Sequence, residues 1–472
     1  MSRVDIAAGT VRARLSPVLA CVLVLAVTQA AGSDCLGLDC AEWQHIWGDA
    51  HQPTGYASVN GWLVHAISGT VHVQEQGSGA ALSTFSTSGI ARTPAIADLG
   101  IAGFPQVYVF VAARDGRLYK LDLAPPLPLV LPVAKTGNKL QVRDIKRDSC
   151  SSDTLLAEPV VQRVAESNPQ FTLGKDIVMV ATAHGCGDTT QNQVMAFDAA
   201  DVTGEPLWVF NNGSYEVASF RSCQLDLSRN RLVCGAEHPA ASFQYSLFSI
   251  NTTNGSLAWA AVADTGVHAR VALGAADGPG AANLYVGDQS GHVRSFDAAD
   301  GAPRGDNATV GETNHVRSID DDLASADGVY AGLILATGSD GVLHALFDSG
   351  SDFVPVWDSF QSVVSGPAIL STLGMVYAGA NDGKFYQFDL STGGAGASAV
   401  IGLDGPSFVY PSDRSMELTI YLGDDGGYQL VGSFDDPDYG TQSRQYRLPC
   451  RWLVPSCVPD VLIFQNGFEQ VP

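Results

Sequence analysis

Short apolar runs recur along the chain, each leading into a turn with Gly or Asn and out into an alternating strand that ends in an acid or its amide. The clearest copies are residues 107–123 (VYVFVAARDGRLYKLDL), 284–301 (LYVGDQSGHVRSFDAADG), 333–348 (LILATGSDGVLHALFD) and 376–393 (VYAGANDGKFYQFDLSTG). Alternation around a tight turn is the pattern of antiparallel strands with one buried face. Gly or Asn at the turn supplies the positive φ that a two-residue hairpin requires. The pattern predicts central hairpins at 62–73, 107–122, 177–198, 232–251, 284–297, 333–348, 376–389 and 418–434. The turn glycines Gly69, Gly116, Gly291, Gly341, Gly383 and Gly426 are 47, 175, 50, 42 and 43 residues apart, and the wide gap holds the third and fourth units with their longer turns.

A further strand is predicted ahead of most hairpins, in ARTPAIADL, AEPVVQRV, ASFRSCQLDL, HARVALGAA, HVRSIDDDL, SGPAILSTL and GPSFVYPSD. A leading strand, a hairpin and a closing strand make a four-stranded blade, and repetition at about 50 residues is the mark of a propeller. The expected fold is therefore all-β, a β-propeller of four-stranded antiparallel blades, eight in number with seven as the alternative. The first unit shows no obvious leading strand. The expectation is that a segment from the other end of the chain (YRLPCRWLVPSC) or the leader closes the ring, since an open terminal blade would present unpaired edges.

Residues 1–33 read as an export signal: Arg3, Arg12 and Arg14 precede the apolar run 18–27, and small residues follow. A leader (34–55), the propeller (56–449) and a tail (450–472) complete the expected organisation. No later run reaches the 18 apolar residues of a membrane span, so a secreted or periplasmic monomer is expected. Without Cys21 of the signal, eight cysteines remain, an even number that in an exported chain points to disulfides. Cys223 and Cys234 flank a hairpin turn at Ser-Arg-Asn and are expected to pair. Cys35 with Cys40 and Cys450 with Cys457 would staple the two ends, and Cys150 and Cys186 complete the set.

A net charge of −23 excludes a nucleic-acid partner and disfavours anionic lipid. A protein or glycan partner is the expectation.

The end of several units carries Ala-x-Asp-x-x-Thr-Gly-x-x-x-Trp. It appears as SINTTNGSLAW (249–259), as AFDAADVTGEPLW (196–208) with two extra residues, and as QFDLSTG and SFDAADG without the Trp. In this the chain resembles the PQQ-like (pyrroloquinoline quinone) repeat propellers of the quinoprotein alcohol dehydrogenase-like superfamily, over roughly residues 56 to 435. The resemblance implies either of two lines of function. Dehydrogenases of the superfamily hold PQQ and a calcium ion over the channel, with an Asp base and often a disulfide between adjacent cysteines. This chain has no Cys-Cys pair, and no residue set matches those ligands. The other branch resembles the propeller of outer-membrane protein assembly and those of pilus-tip adhesins, which bind macromolecules. The expected function is a non-catalytic binding or scaffold module with no cofactor. The alternatives are a PQQ- and Ca²⁺-dependent dehydrogenase of alcohols or sugars, and a passive structural part of an envelope or pilus assembly.

Arg and His recur in the leading strands: His268 and Arg270, then His315 and Arg317, 47 residues on, with Arg92 and Arg221 aligned to the two arginines. Leading strands line the channel of a propeller, so these six side chains would converge there on a carboxylate or phosphate. The competing expectation is that each Arg pairs with an acid of the neighbouring blade, such as Glu158 or Asp320, and stitches the ring. Acid-rich turns at Asp320–Asp322 with Asp327, Asp424–Asp425 and Asp435–Asp438 suggest calcium, though none has the EF-hand spacing. Binding loops are expected at 185–192 and 237–245, the long turns of the third and fourth blades. The tail element IFQNGFE carries no function that its residues reveal.

Overall fold

The computed structural model describes most of residues 57–400, together with the strands Cys35–Leu36, Trp43–Trp47, Met416–Leu422, Tyr428–Asp436 and Gln442–Leu448. The larger undescribed stretches inside that range are 101–105, 124–139, 146–153, 184–191, 238–244, 276–281 and 319–329. The export signal expected at residues 1–33 lies wholly outside the described residues. No helix among the described residues is long and apolar enough to cross a membrane.

The described strands form seven hydrogen-bonded sheets, five of four strands, one of five and one of nine, and the architecture is a β-propeller. The nine-stranded sheet is held together at the single pair Ala183–Ser219 and is described as two, so that the strand groups are here sheets 1 to 8 in chain order. Sheet 2 sets the pattern: leading strand Ala95–Asp98, hairpin Val107–Ala113 and Arg117–Leu123, closing strand Leu140–Asp144. Every hairpin expected from the sequence is present. Leading strands lie beside one another from sheet 1 through sheet 6 and again between sheets 7 and 8, along the inner edge of the array. At four of the turns the carbonyl of the hairpin glycine accepts an N–H from the chain just past the closing strand. Gly69 takes Thr87 N at 2.7 Å, Gly116 takes Ile145 N at 3.0 Å, Gly291 takes Val310 N at 2.8 Å and Gly341 takes Val363 N at 2.7 Å.

The ends of the array differ from expectation. Sheet 1 has its own leading strand, Ala57–Val59, paired with Trp62–Ile67. It escaped notice because three residues are too few to show alternation. In sheet 8 the leading position is held by Met416–Leu422, so the predicted hairpin at 418–434 forms strands one and two rather than two and three. Gln442–Leu448 is the third strand, and the leader strand Trp43–Trp47 pairs with it antiparallel as the fourth, Trp43 opposite Arg447. The predicted leading strand GPSFVYPSD falls outside the described residues. A second leader strand, Cys35–Leu36, runs parallel to the edge strand Ala395–Val400 of sheet 7. The two leader strands thus cover the edges of sheets 7 and 8, where bare strands would invite pairing with other chains.

One-sided burial, the basis of the alternation argument, is not what the central strands show. Trp62–Ile67, Ile177–Ala183 and Leu333–Gly338 are buried at every position. Each sheet is sandwiched between two others, so alternation decides which neighbour a side chain meets. In sheet 2, Val107, Val109, Val111 and Leu121 pack on Val64, Val71 and Val73 of sheet 1. Phe110, Ala112 and Leu118 point the other way, onto Val178, Val180 and Phe197 of sheet 3. Four further apolar layers of this kind join sheets 3 to 7 in succession.

Cys223 and Cys234 face each other across the hairpin of sheet 4 and are joined by a disulfide, with the S–S distance 2.04 Å. The turn between them runs through Ser228 and Arg229 to Asn230, whose φ of 50° is the left-handed geometry such a turn needs. The other six cysteines lie outside the described side chains.

Candidate functional site

The antiparallel order brings two things to one end of every sheet: the segment entering the leading strand and the turn of the central hairpin. Bridges between them recur at Ala91 with Ala113, Val267 with Asp288 and Val363 with Ala380. Turns and connections of successive sheets also touch along this end. A Cβ on Gly89 would lie 2.6 Å from Asp115 N, and one on Gly311 3.1 Å from Asp340 N. This is the face on which the predicted Arg and His positions fall.

The structure separates those positions. Arg92, Arg221 and Arg270 lie one, two and three residues past the residue that bridges to the hairpin (Ala91, Ser219 and Val267). The three arginines therefore stand at different register positions along their segments. A bulge between Phe220 and Ser222 accounts for part of the offset, and spacing alone does not reveal a bulge. Arg270 is exposed and donates through Nη2 (3.0 Å) and Nε (3.3 Å) to Gln224 Oε1 of sheet 4. It ties two sheets together. His315 and Arg317 sit in strand Thr313–Ser318, and their side chains, like all of His268, lie outside what is described.

Arg92 and Arg221 come together, and a third arginine joins them. Arg92 N donates to Ala112 O (2.8 Å) and Arg114 N to Ile90 O (2.9 Å), so the two arginines flank the Ala91–Ala113 bridge diagonally, one to either side of it and on the same face of the strand pair. Arg221 Nη2 lies 2.6 Å from Glu237 Oε2, a carboxylate that also accepts from Ser219 Oγ. Glu158 enters from the segment before sheet 3 and is exposed. Burial, with Arg114 and Arg221 nearby, pulls the Arg92 guanidinium down to about 10, and Glu158 offsets this only in part. Among the described residues Arg92 has no side-chain hydrogen bond, and its Nε is sealed from solvent, as is that of Arg221. Arg114 was missed in the sequence because it belongs to the hairpin turn and not to the leading strand.

Other polar groups on this face hold turns. Asp288 accepts from Ser290 Oγ (2.6 Å), His292 N (2.9 Å) and Arg294 Nε (2.9 Å). Burial pushes its carboxyl up, and these hydrogen bonds outweigh that and hold it below the ordinary carboxylate range. Ser290 Oγ also meets His292 Nδ1 at 2.8 Å. One ring nitrogen thus faces both Ser and Asp, whereas a triad needs opposite nitrogens, so this is a turn motif and not a nucleophile.

PQQ with calcium would require carboxylate-binding cations and an oxygen cage. The arginines suit the first, but among the described residues no group of three His, Cys, Asp or Glu side chains is placed to hold a metal ion. The acid-rich turns at 320–327 and 424–425 lie outside the described residues, as do the side chains at 435–438 and most of the loops at 185–192 and 237–245.

The repeat motif has a clear structural use. Trp208, Trp259 and Trp357 each leave the closing strand of one sheet and donate from the indole to a carbonyl of the next: Thr252 (2.7 Å), Ala298 (3.1 Å) and Leu390 (2.8 Å). Each ring lies over the motif glycine of that next sheet, Gly255, Gly301 or Gly393, at left-handed φ of 71°, 75° and 65°. The family model described as outer membrane protein assembly factor BamB, a PQQ-repeat family, matches residues 136–395, more than half of the 472-residue chain.

The chain belongs to the BamB family of PQQ-repeat propellers.

No curated protein matches the sequence. Solved structures share the fold at low identity. Quinohemoprotein alcohol dehydrogenase from Comamonas testosteroni is similar with a TM-score of 0.58 and 13% identity, covering 86% of this chain and 76% of that one. A europium-containing methanol dehydrogenase gives 0.57 and 13%, covering 86% and 92%. The computationally designed Ika8 protein gives 0.53 and 15%, covering 88% and 100%. Likeness at this level carries the fold of the BamB-family chain and nothing about its chemistry.

Proposed function

We propose that this BamB-family propeller is a non-catalytic binding platform exported from the cytoplasm, an eight-bladed monomer that holds a protein partner of the cell envelope on the face built from its hairpin turns and lead-in segments. The observation that supports this reading most is the match of residues 136–395 to a family described as an outer-membrane assembly factor. The architecture suits the role. Apolar layers between sheets make a stiff body, and connecting segments on a stiff body are where binding groups are usually carried. A basic signal with a short apolar run supports export.

The test is site-specific crosslinking in living cells of the host. A photoreactive side chain at Ser290, on the face, is compared with one at Val354, on the outer strand of sheet 6. The expected result is a discrete adduct with an envelope protein from position 290 and none from 354. Adducts from neither, or only from 354, would contradict the reading.

A further inference from the structure

The protein carries a net charge of −23, yet Arg92 and Arg114 flank the Ala91–Ala113 bridge on the turn face, and Arg221 is near enough to act on the Arg92 guanidinium. Among the described residues, Glu158 is the acid that acts on Arg92. Glu237 is committed to Arg221 and Ser219. Arg92 is half-buried, and no described residue accepts a hydrogen bond from it. A guanidinium removed from water without an acceptor is costly, and the cost is largest when the neighbours have the same sign. A structural arginine would be expected to have found its acid, as Arg221 has.

We propose that Arg92, Arg114 and Arg221 form a binding site for an oxyanion, a carboxylate or a phosphate. The fork of Arg92, with its Nε facing inward, takes the anion. Arg114 is exposed at the mouth and adds charge and a second set of donors. Arg221, held by Glu237, fixes the third side. The same chemistry is offered by a free small anion and by the acidic side chain of a bound protein, and the test separates these. The site deepens the platform reading by naming what its face recognises, and it rests on that reading only for the use of this face.

Binding is measured on the purified chain without residues 1–33 by calorimetry and thermal melting with inorganic phosphate, citrate and a hexaglutamate peptide, against sodium chloride at matched ionic strength. The expected result is a saturable rise in Tm that sodium chloride does not reproduce. Tighter binding of the peptide assigns the site to a partner's side chains, and tighter binding of phosphate or citrate assigns it to a free anion. Arg114→Gln is expected to weaken binding about tenfold, as for loss of one charge-assisted contact. Arg92→Met is the more telling variant. If the arginine is reserved for a ligand, the anion-free protein keeps or raises its Tm while the anion response disappears. A fall in the anion-free Tm with an undiminished anion response would overturn the proposal, and so would the absence of saturable binding to every probe. If anions bind but crosslinking at position 290 finds no partner, the site stands and the platform reading fails.

Discussion

The junctions between sheets are built in two ways. From sheet 3 to 4, 4 to 5 and 6 to 7, a buried Trp lies on a glycine turn and donates its indole N–H to the neighbour's backbone. From sheet 5 to 6, the place four residues after Gly301 holds Gly305, and no Trp is there to cross. A polar network takes over. Asn283 Nδ2 (2.9 Å) and the Tyr285 hydroxyl (2.8 Å) donate to Asp348 Oδ2, and Arg304 Nη1 donates to Asn283 Oδ1 (2.7 Å). The junction from sheet 2 to 3 resembles it: Arg143 donates to Thr203 O (3.1 Å), and Lys120 Nζ donates to Ala200 O from beneath the Tyr108 ring. Both solutions let one sheet hold the backbone of the next. The aromatic one adds a large apolar area to the hydrogen bond, whereas the polar one depends on every member being satisfied.

The largest expected effect is from Trp259→Ala, which removes a buried indole and its hydrogen bond. Urea unfolding is expected to show a loss of about 3–5 kcal/mol. Gly301→Ala places a Cβ 2.5 Å from Trp259 Cε3 at a φ of 75°, and should cost roughly 1–3 kcal/mol from backbone strain alone. The double variant should lose less than the sum, because the clash needs the ring; strict additivity would separate the glycine from the Trp. In the polar junction, Tyr285→Phe removes one donor to the buried Asp348 and should cost about 1–3 kcal/mol. A negligible loss would mean that Asn283 suffices. Arg143→Gln should cost under about 1 kcal/mol, since Arg143 and Glu205 are 3.7 Å apart and Glu205 is 90% exposed, and the difference should shrink as salt is added.

The smallest effect is one of pH. Asp389 orders the glycine turn under Trp357, and the hydrogen bond from the Ser391 hydroxyl, with others from Ser391 N and Thr392, holds its carboxyl below the ordinary range. Its folded value is below its unfolded value, so the stabilisation is present above the unfolded value and is lost as pH falls through the folded one. Asp389→Asn should therefore flatten the acid limb of the stability profile, and an unchanged limb would show that the turn does not depend on the charge.

The legible part of the fold was whatever repeats. Hairpins announced themselves by alternation and turn glycines, and the Trp motif by its spacing, because each is local in the chain. The 3-residue strand Ala57–Val59 and the leader strand of sheet 8 were missed or left open, because one is too short for a period and the other pairs across nearly the whole chain. The site was half legible for the same reason. Arg92 and Arg221 stand in segments that repeat, so comparison of units found them. Arg114 comes from a turn, and the separation of Arg270 from the pair follows from a bulge and an offset in register that spacing does not encode.

The central claim, a platform rather than a quinoprotein dehydrogenase, is tested most directly by melting the purified chain without residues 1–33 with PQQ, with Ca²⁺, and with both. A ligand bound only to the native state stabilises by RT ln(1 + [L]/Kd), about 2.7 kcal/mol at a hundredfold excess. The account predicts no rise that requires both ligands together. A shift with PQQ alone that citrate also produces would belong to the arginine site. A Tm increase that appears only with PQQ and Ca²⁺ combined would contradict the account and make the chain a dehydrogenase.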